Sequence, residues 1–140
     1  MWSAVRKRFG LCSTKLPGAE LFSLIRRALA VSEMTDGRFD ITYDSVGQYY
    51  DFREGERPDP ETIEKAVEKI DYRFVVLNPA KETVSFLQEG VRINLGGIAK
   101  GYAVERSVAL LREMGIQYAS VSAGGDSRLL GDRRGQPWLV

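Results

Sequence analysis

Across residues 91–105 the chain changes its hydrophobic period from two to 3.6, and a pair of glycines marks the change. Val91, Ile93 and Leu95 share one face of an expected strand, and Arg92 and Asn94 share the other. Gly96 and Gly97 carry no Cβ, so a sharp strand-to-helix turn that comes close to a bound group is expected there. The helix predicted to follow offers amide donors and the positive end of its dipole, and Lys100 adds a cation within its first turn. Such a junction suits a phosphate or pyrophosphate. The same residues also make a plain tight turn beside a solvated lysine, and the sequence leaves both readings open. Two known phosphate loops are excluded by spacing. The glycines at 96, 97 and 101 do not fit G-x-G-x-x-G, and Gly101 is followed by Tyr102 where a Walker A loop has lysine.

The rest of the chain reads as short strands and amphipathic helices. Leu21, Leu24, Ile25, Ala28 and Leu29 have helical spacing, opened by Pro17-Gly18 and closed by Thr35-Asp36-Gly37. Residues 38–43 alternate and are rich in aromatic and β-branched types, which predicts a short strand or extended segment. Residues 51–60 are charged and hold two prolines, a surface loop. Asp59 and Pro60 then cap a helix with the stripe Ile63, Ala66, Val67 and Ile70. Residues 73–77 and 83–87 form an expected hairpin around Asn78-Pro79-Ala80-Lys81. Residues 88–90 turn the chain into the strand 91–95. The helix after the glycines carries Val104, Val108 and Leu111 and stops at Gly115. Strands at 118–123 and 127–130 flank a Gly124-Gly125-Asp126 turn, and 132–135 turn again into a strand beginning at Gln136. This order predicts an α+β fold with a mainly antiparallel sheet flanked by amphipathic helices.

Composition removes several function classes. The 140 residues, 44% hydrophobic, allow one domain with a core. There is no histidine, which excludes Ser-His-Asp and Cys-His catalysis and histidine-ligated metals. A metal here would be a hard, oxygen-bound cation. Cys12 is the single cysteine and forms no internal disulfide. Twenty basic residues against nineteen acidic ones leave +1, and Arg6-Lys7-Arg8 is too short a basic run to predict nucleic-acid binding. The apolar residues 136–140 read as a strand just begun, so the chain is expected to be part of something longer.

Three glycine-bounded segments stand out: residues 37–42, 94–105 and 121–126. Asp40 alternates with Phe39 and Ile41, so its carboxylate faces either a polar site or a neighbouring turn that it caps. Asp126 after two glycines is read as turn chemistry. In this order, and with Gly135-Gln136-Pro137-Trp138, the segments resemble the ApbE-like flavin transferases, the FAD:protein FMN transferases. The resemblance runs from about the first helix to the last residue.

That resemblance implies a magnesium-dependent enzyme that splits FAD, transfers FMN to a threonine hydroxyl of an acceptor protein and releases AMP. Acceptors would be subunits of redox-driven ion pumps and related flavoproteins, with no nucleic acid involved. Residue by residue, Arg38, Phe39, Asp40, Asn94 and Lys100 are implied to contact FAD, and the Gly97 carbonyl to help hold Mg2+. Asn94 stands where many members have aspartate, and Tyr43-Asp44-Ser45 replaces a common valine-glycine-proline run. The remaining metal ligands are expected beyond Val140, so residues 1–140 are read as a partial domain lacking its C-terminal part, and inactive alone. A non-catalytic flavin-binding module is the alternative. Family members face the bacterial periplasm, anchored to the inner membrane.

Overall fold

The computed structural model describes residues 13–15, 18–51 and 53–139. Arg6-Lys7-Arg8, Cys12, Pro17 and Val140 lie outside them. The described chain forms two compact units divided between Leu95 and Gly96, within the stretch whose change of period opens the sequence reading. Among the described residues all strand pairs are antiparallel and helices accompany them, as the α+β expectation requires.

In the first unit, α1 (Ala19–Met34) buries Phe22, Leu24, Ile25 and Ala28. Ser32 joins that face because its hydroxyl donates back to the Ala28 carbonyl at 3.1 Å, which satisfies it without water. The helix ends as its sequence signals. Gly37, at φ +74°, donates its amide to the Ser32 carbonyl at 2.8 Å, and Asp36 donates to Glu33 at 3.2 Å. Strands β1 (Ser13–Lys15), β2 (Val75–Asn78) and β3 (Thr83–Phe86) form one sheet in the order β1-β3-β2. The predicted hairpin forms, with Val75 opposite Phe86 and Asn78 opposite Thr83, but its first strand starts at Val75, because Tyr72–Phe74 make a 3-10 turn. Strand β1 was not anticipated. The helix α3 (Pro60–Val67) is capped by Asp59, whose carboxylate accepts the Thr62 amide at 2.9 Å. Ala66 is buried, whereas Val67, the last residue of this short helix, is exposed.

Two predicted strands in this unit are corrected. Residues 38–43 are not a strand: Asp40 is extended, but Ile41–Tyr43 form a 3-10 turn followed by α2 (Asp44–Gly47). The cause is local. Asp40 Oδ1 accepts both the Thr42 amide at 2.8 Å and the Thr42 hydroxyl at 2.6 Å, which closes a turn where a ladder would need open groups. Residues 91–95 form no strand and pair with none among the described residues. Their backbone bonds go sideways instead: the Arg92 amide to the Ser45 hydroxyl at 3.0 Å, and the Asn94 amide to the Ile41 carbonyl at 2.8 Å. Val91 is buried and Arg92 exposed, but Ile93, Asn94 and Leu95 are all half-buried, and the groups that satisfy the backbone lie in a turn.

In the second unit, α4 (Gly96–Glu113) buries Val104 and Val108. Gly115, at φ +82°, and Ile116 close it with bonds to the Arg112 and Leu111 carbonyls, both 3.0 Å. Strands β4 (Ala119–Ala123) and β5 (Asp126–Leu130) pair with Ala123 opposite Asp126, leaving Gly124 and Gly125 as a two-residue turn. Their φ values of +56° and +97° are those a tight hairpin of right-handed twist demands. The strand predicted from Gln136 does not form within residues 136–139. Arg133 donates to the Gln136 carbonyl at 2.7 Å and closes a turn, Pro137 has no amide to donate, and the Trp138 indole donates to Gly131 at 2.9 Å.

Candidate functional site

Each unit brings together residues that the sequence reading kept apart. In the first, Asp40 is the organising side chain. Beyond its two bonds to Thr42, its Oδ2 accepts the Tyr72 amide at 2.8 Å, so one carboxylate joins the end of α1 to the segment entering β2. Of the two placements weighed for Asp40, the geometry is that of the turn cap. Arg38 is exposed, and Phe39 is half-buried with its amide donated to the Thr35 hydroxyl at 3.1 Å.

Asn94 is held against the same region. Its side-chain amide donates to Asp44 Oδ1 at 3.3 Å, and a carboxylate only accepts, which fixes which end of the amide faces Asp44. Arg92 meets the other oxygen of Asp44 at 3.3 Å and donates to Gln48 Oε1 at 2.8 Å. Fully buried Ser45 both accepts from the Arg92 amide and donates to the Lys69 and Arg92 carbonyls at 3.3 and 3.4 Å. Sequence reasoning missed Asp44, Ser45 and Arg92 as a lattice. The available signal was the placing of Asp44-Ser45 one residue after the Asp40–Thr42 turn.

In the second unit, Gly96 and Gly97 are the first two residues of α4 and have helical backbone; they do not form a turn ahead of it. The sharp turn expected at Gly96-Gly97 does not form, whereas the one expected at Gly124-Gly125 does. Lys100 connects the two segments, donating from Nζ to the Gly124 carbonyl at 3.2 Å. One turn further along α4, Glu105 pairs with Arg128 of β5 at 3.1 Å. An open cleft of about 750 Å3 lies at the other end of α4, between residues 115–118 and the 132–138 loop.

The chemistry of a cation site is thin. Among the described residues no three His, Cys, Asp or Glu side chains come together to hold a metal. The Gly97 carbonyl is a hard oxygen of the right kind for magnesium, but within α4 it points along the axis toward the Gly101 amide. These residues therefore do not fit a magnesium ion by themselves. The marked electrostatics are structural. Hydrogen bonds from the Arg73 guanidinium hold the Asp71 carboxyl below the usual range, and the Thr62 amide and hydroxyl do the same for Asp59. No helix among the described residues is long and apolar enough to cross a membrane.

Comparison with known proteins gives the fold a relationship. Residues 7–140 match the ApbE family. The FAD:protein FMN transferase of Treponema pallidum is 31% identical over 122 residues, which cover 82% of this chain and 34% of that protein. The protein of the same name from Haemophilus influenzae is 28% identical over 129 residues, covering 87% and 37%. The crystal structure of the ApbE protein from Thermotoga maritima superposes with a TM-score of 0.80 at 32% identity, covering 89% of this chain and 41% of that one. Pseudomonas stutzeri flavinyl transferase ApbE, in its apo form, shares the fold with a TM-score of 0.79 at 23% identity, covering 91% and 41%. The chain thus spans about a third of the length of the relatives it matches. On this match of sequence and fold, the chain belongs to the ApbE family.

Proposed function

We propose that this chain is part of an FAD:protein FMN transferase. The observation that carries the reading is the family match over residues 7–140, joined to a fold shared at a TM-score of 0.80. In the proposed reaction the threonine hydroxyl oxygen of an acceptor protein bonds to the FMN phosphorus of FAD. The bridging P–O bond breaks, AMP leaves with the electron pair, and the hydroxyl proton is released. Redox-driven ion-pump subunits are the proposed acceptors, on the periplasmic face of the inner membrane; both rest on the family resemblance.

This chain's own residues would bind and orient. Lys100, the fifth residue of α4, places a cation close to the helix start, where helix amides and the dipole also favour an anion, a combination suited to a diphosphate. Arg38, Phe39, Asp40 and Asn94 remain the other proposed FAD contacts, with Asp40 acting through the turn it closes. Magnesium would supply charge neutralisation at the transferring phosphoryl group. The described residues do not by themselves compose its site.

The test is direct. The 140-residue chain is mixed with FAD and magnesium, with and without an acceptor bearing the target threonine. Quenched flavin fluorescence on binding, without a fluorescent acceptor band on a denaturing gel, is the result expected. Flavinylated acceptor would mean that these residues suffice for transfer. Absence of FAD binding would overturn the reading. A full-length relative of this chain that binds FAD but transfers nothing would establish the second reading, a non-catalytic flavin module, to which Asn94 in place of a charged residue points.

A further inference from the structure

The second unit holds two glycine-bounded segments whose relation the sequence does not reveal, the start of α4 and the Gly124-Gly125 turn. Lys100 bridges them twice over. Its ammonium donates to the Gly124 carbonyl at 3.2 Å, and its aliphatic stem lies so close to Gly124 that a Cβ there would stand 2.7 Å from Lys100 Cδ. Gly124 is thus glycine for two reasons: its φ of +56° and the lysine stem packed over it.

We propose that Lys100 is a positioning residue, a strap that fixes the β4–β5 turn to the N-terminal part of α4. The turn needs such a strap. Two glycines at its apex give it maximal freedom when unfolded, and a two-stranded hairpin is marginal in water on its own. Of β4 and β5 only Leu130, at the end far from the turn, is buried. The Glu105–Arg128 pair ties β5 to α4 on the solvent side, with both side chains about half exposed, where such pairs contribute little. A charge-assisted bond onto the apex carbonyl acts where the neighbouring apolar side chains, Val121 and Ala123, are only half-buried. Asp126 opens β5 directly opposite Ala123, so its position follows from where the turn is held. Lysine has three donors and Gly124 takes one, which leaves the ammonium able to hold the turn and still meet an anion.

The inference stands on geometry within residues 96–130 and is independent of the flavin reading. Hydrogen exchange of the ligand-free chain tests it, followed by mass spectrometry over residues 119–130, with 104–110 of α4 as the folded reference. Lys100→Met keeps the stem and removes the donor. It is expected to speed exchange at the hairpin about three- to tenfold while the α4 reference holds. Lys100→Arg restores a donor and is expected to return exchange to near the parent rate. Gly124→Ala is expected to speed exchange as well, because it displaces the stem and strains the turn. Parent-like exchange in Lys100→Met overturns the strap, and so does failure of Lys100→Arg to restore protection. FAD affinity, measured on the same variants, separates the two readings. Weaker binding in Lys100→Met with an unchanged hairpin would sink the strap and leave the flavin site standing. A parent chain that binds no FAD would sink the flavin site, while the exchange rates still decide the strap.

Discussion

The unit before Gly96 and the unit after it are built on different terms. Among the described residues the first buries nine apolar side chains, including Phe22, Ile25, Ile41, Val75 and Val84, together with four polar ones that include Ser32, Thr42 and Ser45. Its irregular segments are stitched by side chains onto backbone: Asp40 onto Thr42 and Tyr72, Ser45 onto Arg92, Asp59 onto Thr62. The second unit buries Val104, Val108 and Leu130, and its polar contacts lie at the surface, on the hairpin turn and along one face of α4. Order in the first unit follows from exclusion of water. In the second it depends on turn geometry and on a few exposed bonds.

Core truncation is the strongest way to break this comparison. Ile25 is 1% exposed in the middle of α1, and Ile25→Ala is expected to lower unfolding free energy by about 3–4 kcal/mol. Val108 is buried almost as completely, at 2%, but Val108→Ala removes less side chain from a smaller core, for about 2 kcal/mol. Urea unfolding followed by circular dichroism measures both. Equal losses, or a larger loss at Val108, would mean that the second unit has more of a core than its buried residues indicate.

Next in size is the stitching itself. Asp40→Ala strands the Thr42 and Tyr72 amides and the Thr42 hydroxyl in partly buried positions, an expected loss of about 2–3 kcal/mol. Asp40→Asn keeps one acceptor oxygen and is expected to lose less. Because Asp40 is also a proposed FAD contact, the informative measurement is made without flavin. An unchanged melting temperature for Asp40→Ala would show that the carboxylate matters only to a ligand.

How far these features were legible depends on what caused them. Elements determined by neighbours in sequence were readable: the stripe of α1 and its Gly37 stop, the Asp59-Pro60 cap, the 75–86 hairpin, the Gly115 stop. Residues 91–95 alternate in sequence as a strand should, yet only Val91 and Arg92 differ clearly in exposure, and their hydrogen-bond partners, Ser45 and Ile41, are about fifty residues away, which periodicity does not encode. Residues 38–43 failed for the opposite reason, a bond two residues long, Asp40 to Thr42, that overrode β propensity. At the candidate site the residue types were legible and their partners were not. Lys100 was visible as a cation at a helix start, but its bond to Gly124 depends on a hairpin 24 residues further on.

The smallest effect separates the two kinds of order by pH. Asp59 is exposed, and the Thr62 amide and hydroxyl hold its carboxyl below the ordinary aspartate value. Asp71 is held down likewise by Arg73. A carboxyl whose pKa is lower in the folded state binds fewer protons there than in the unfolded chain, so it stabilises the fold when ionised. That contribution is fully present above the unfolded aspartate pKa and disappears as pH falls through the lower folded one. Both carboxylates belong to the first unit, so an acid titration from pH 6 to about pH 2.5 should loosen α3 and the start of β2 before it touches the β4–β5 turn, which neither carboxylate caps. Amide exchange at Thr62 and Arg73 against Gly125 reads the difference. Asp59→Asn, which keeps a capping oxygen without a titrating proton, should flatten the response at Thr62 alone. A Thr62 amide equally acid-sensitive in that variant would mean that the cap's ionisation is not what holds the helix.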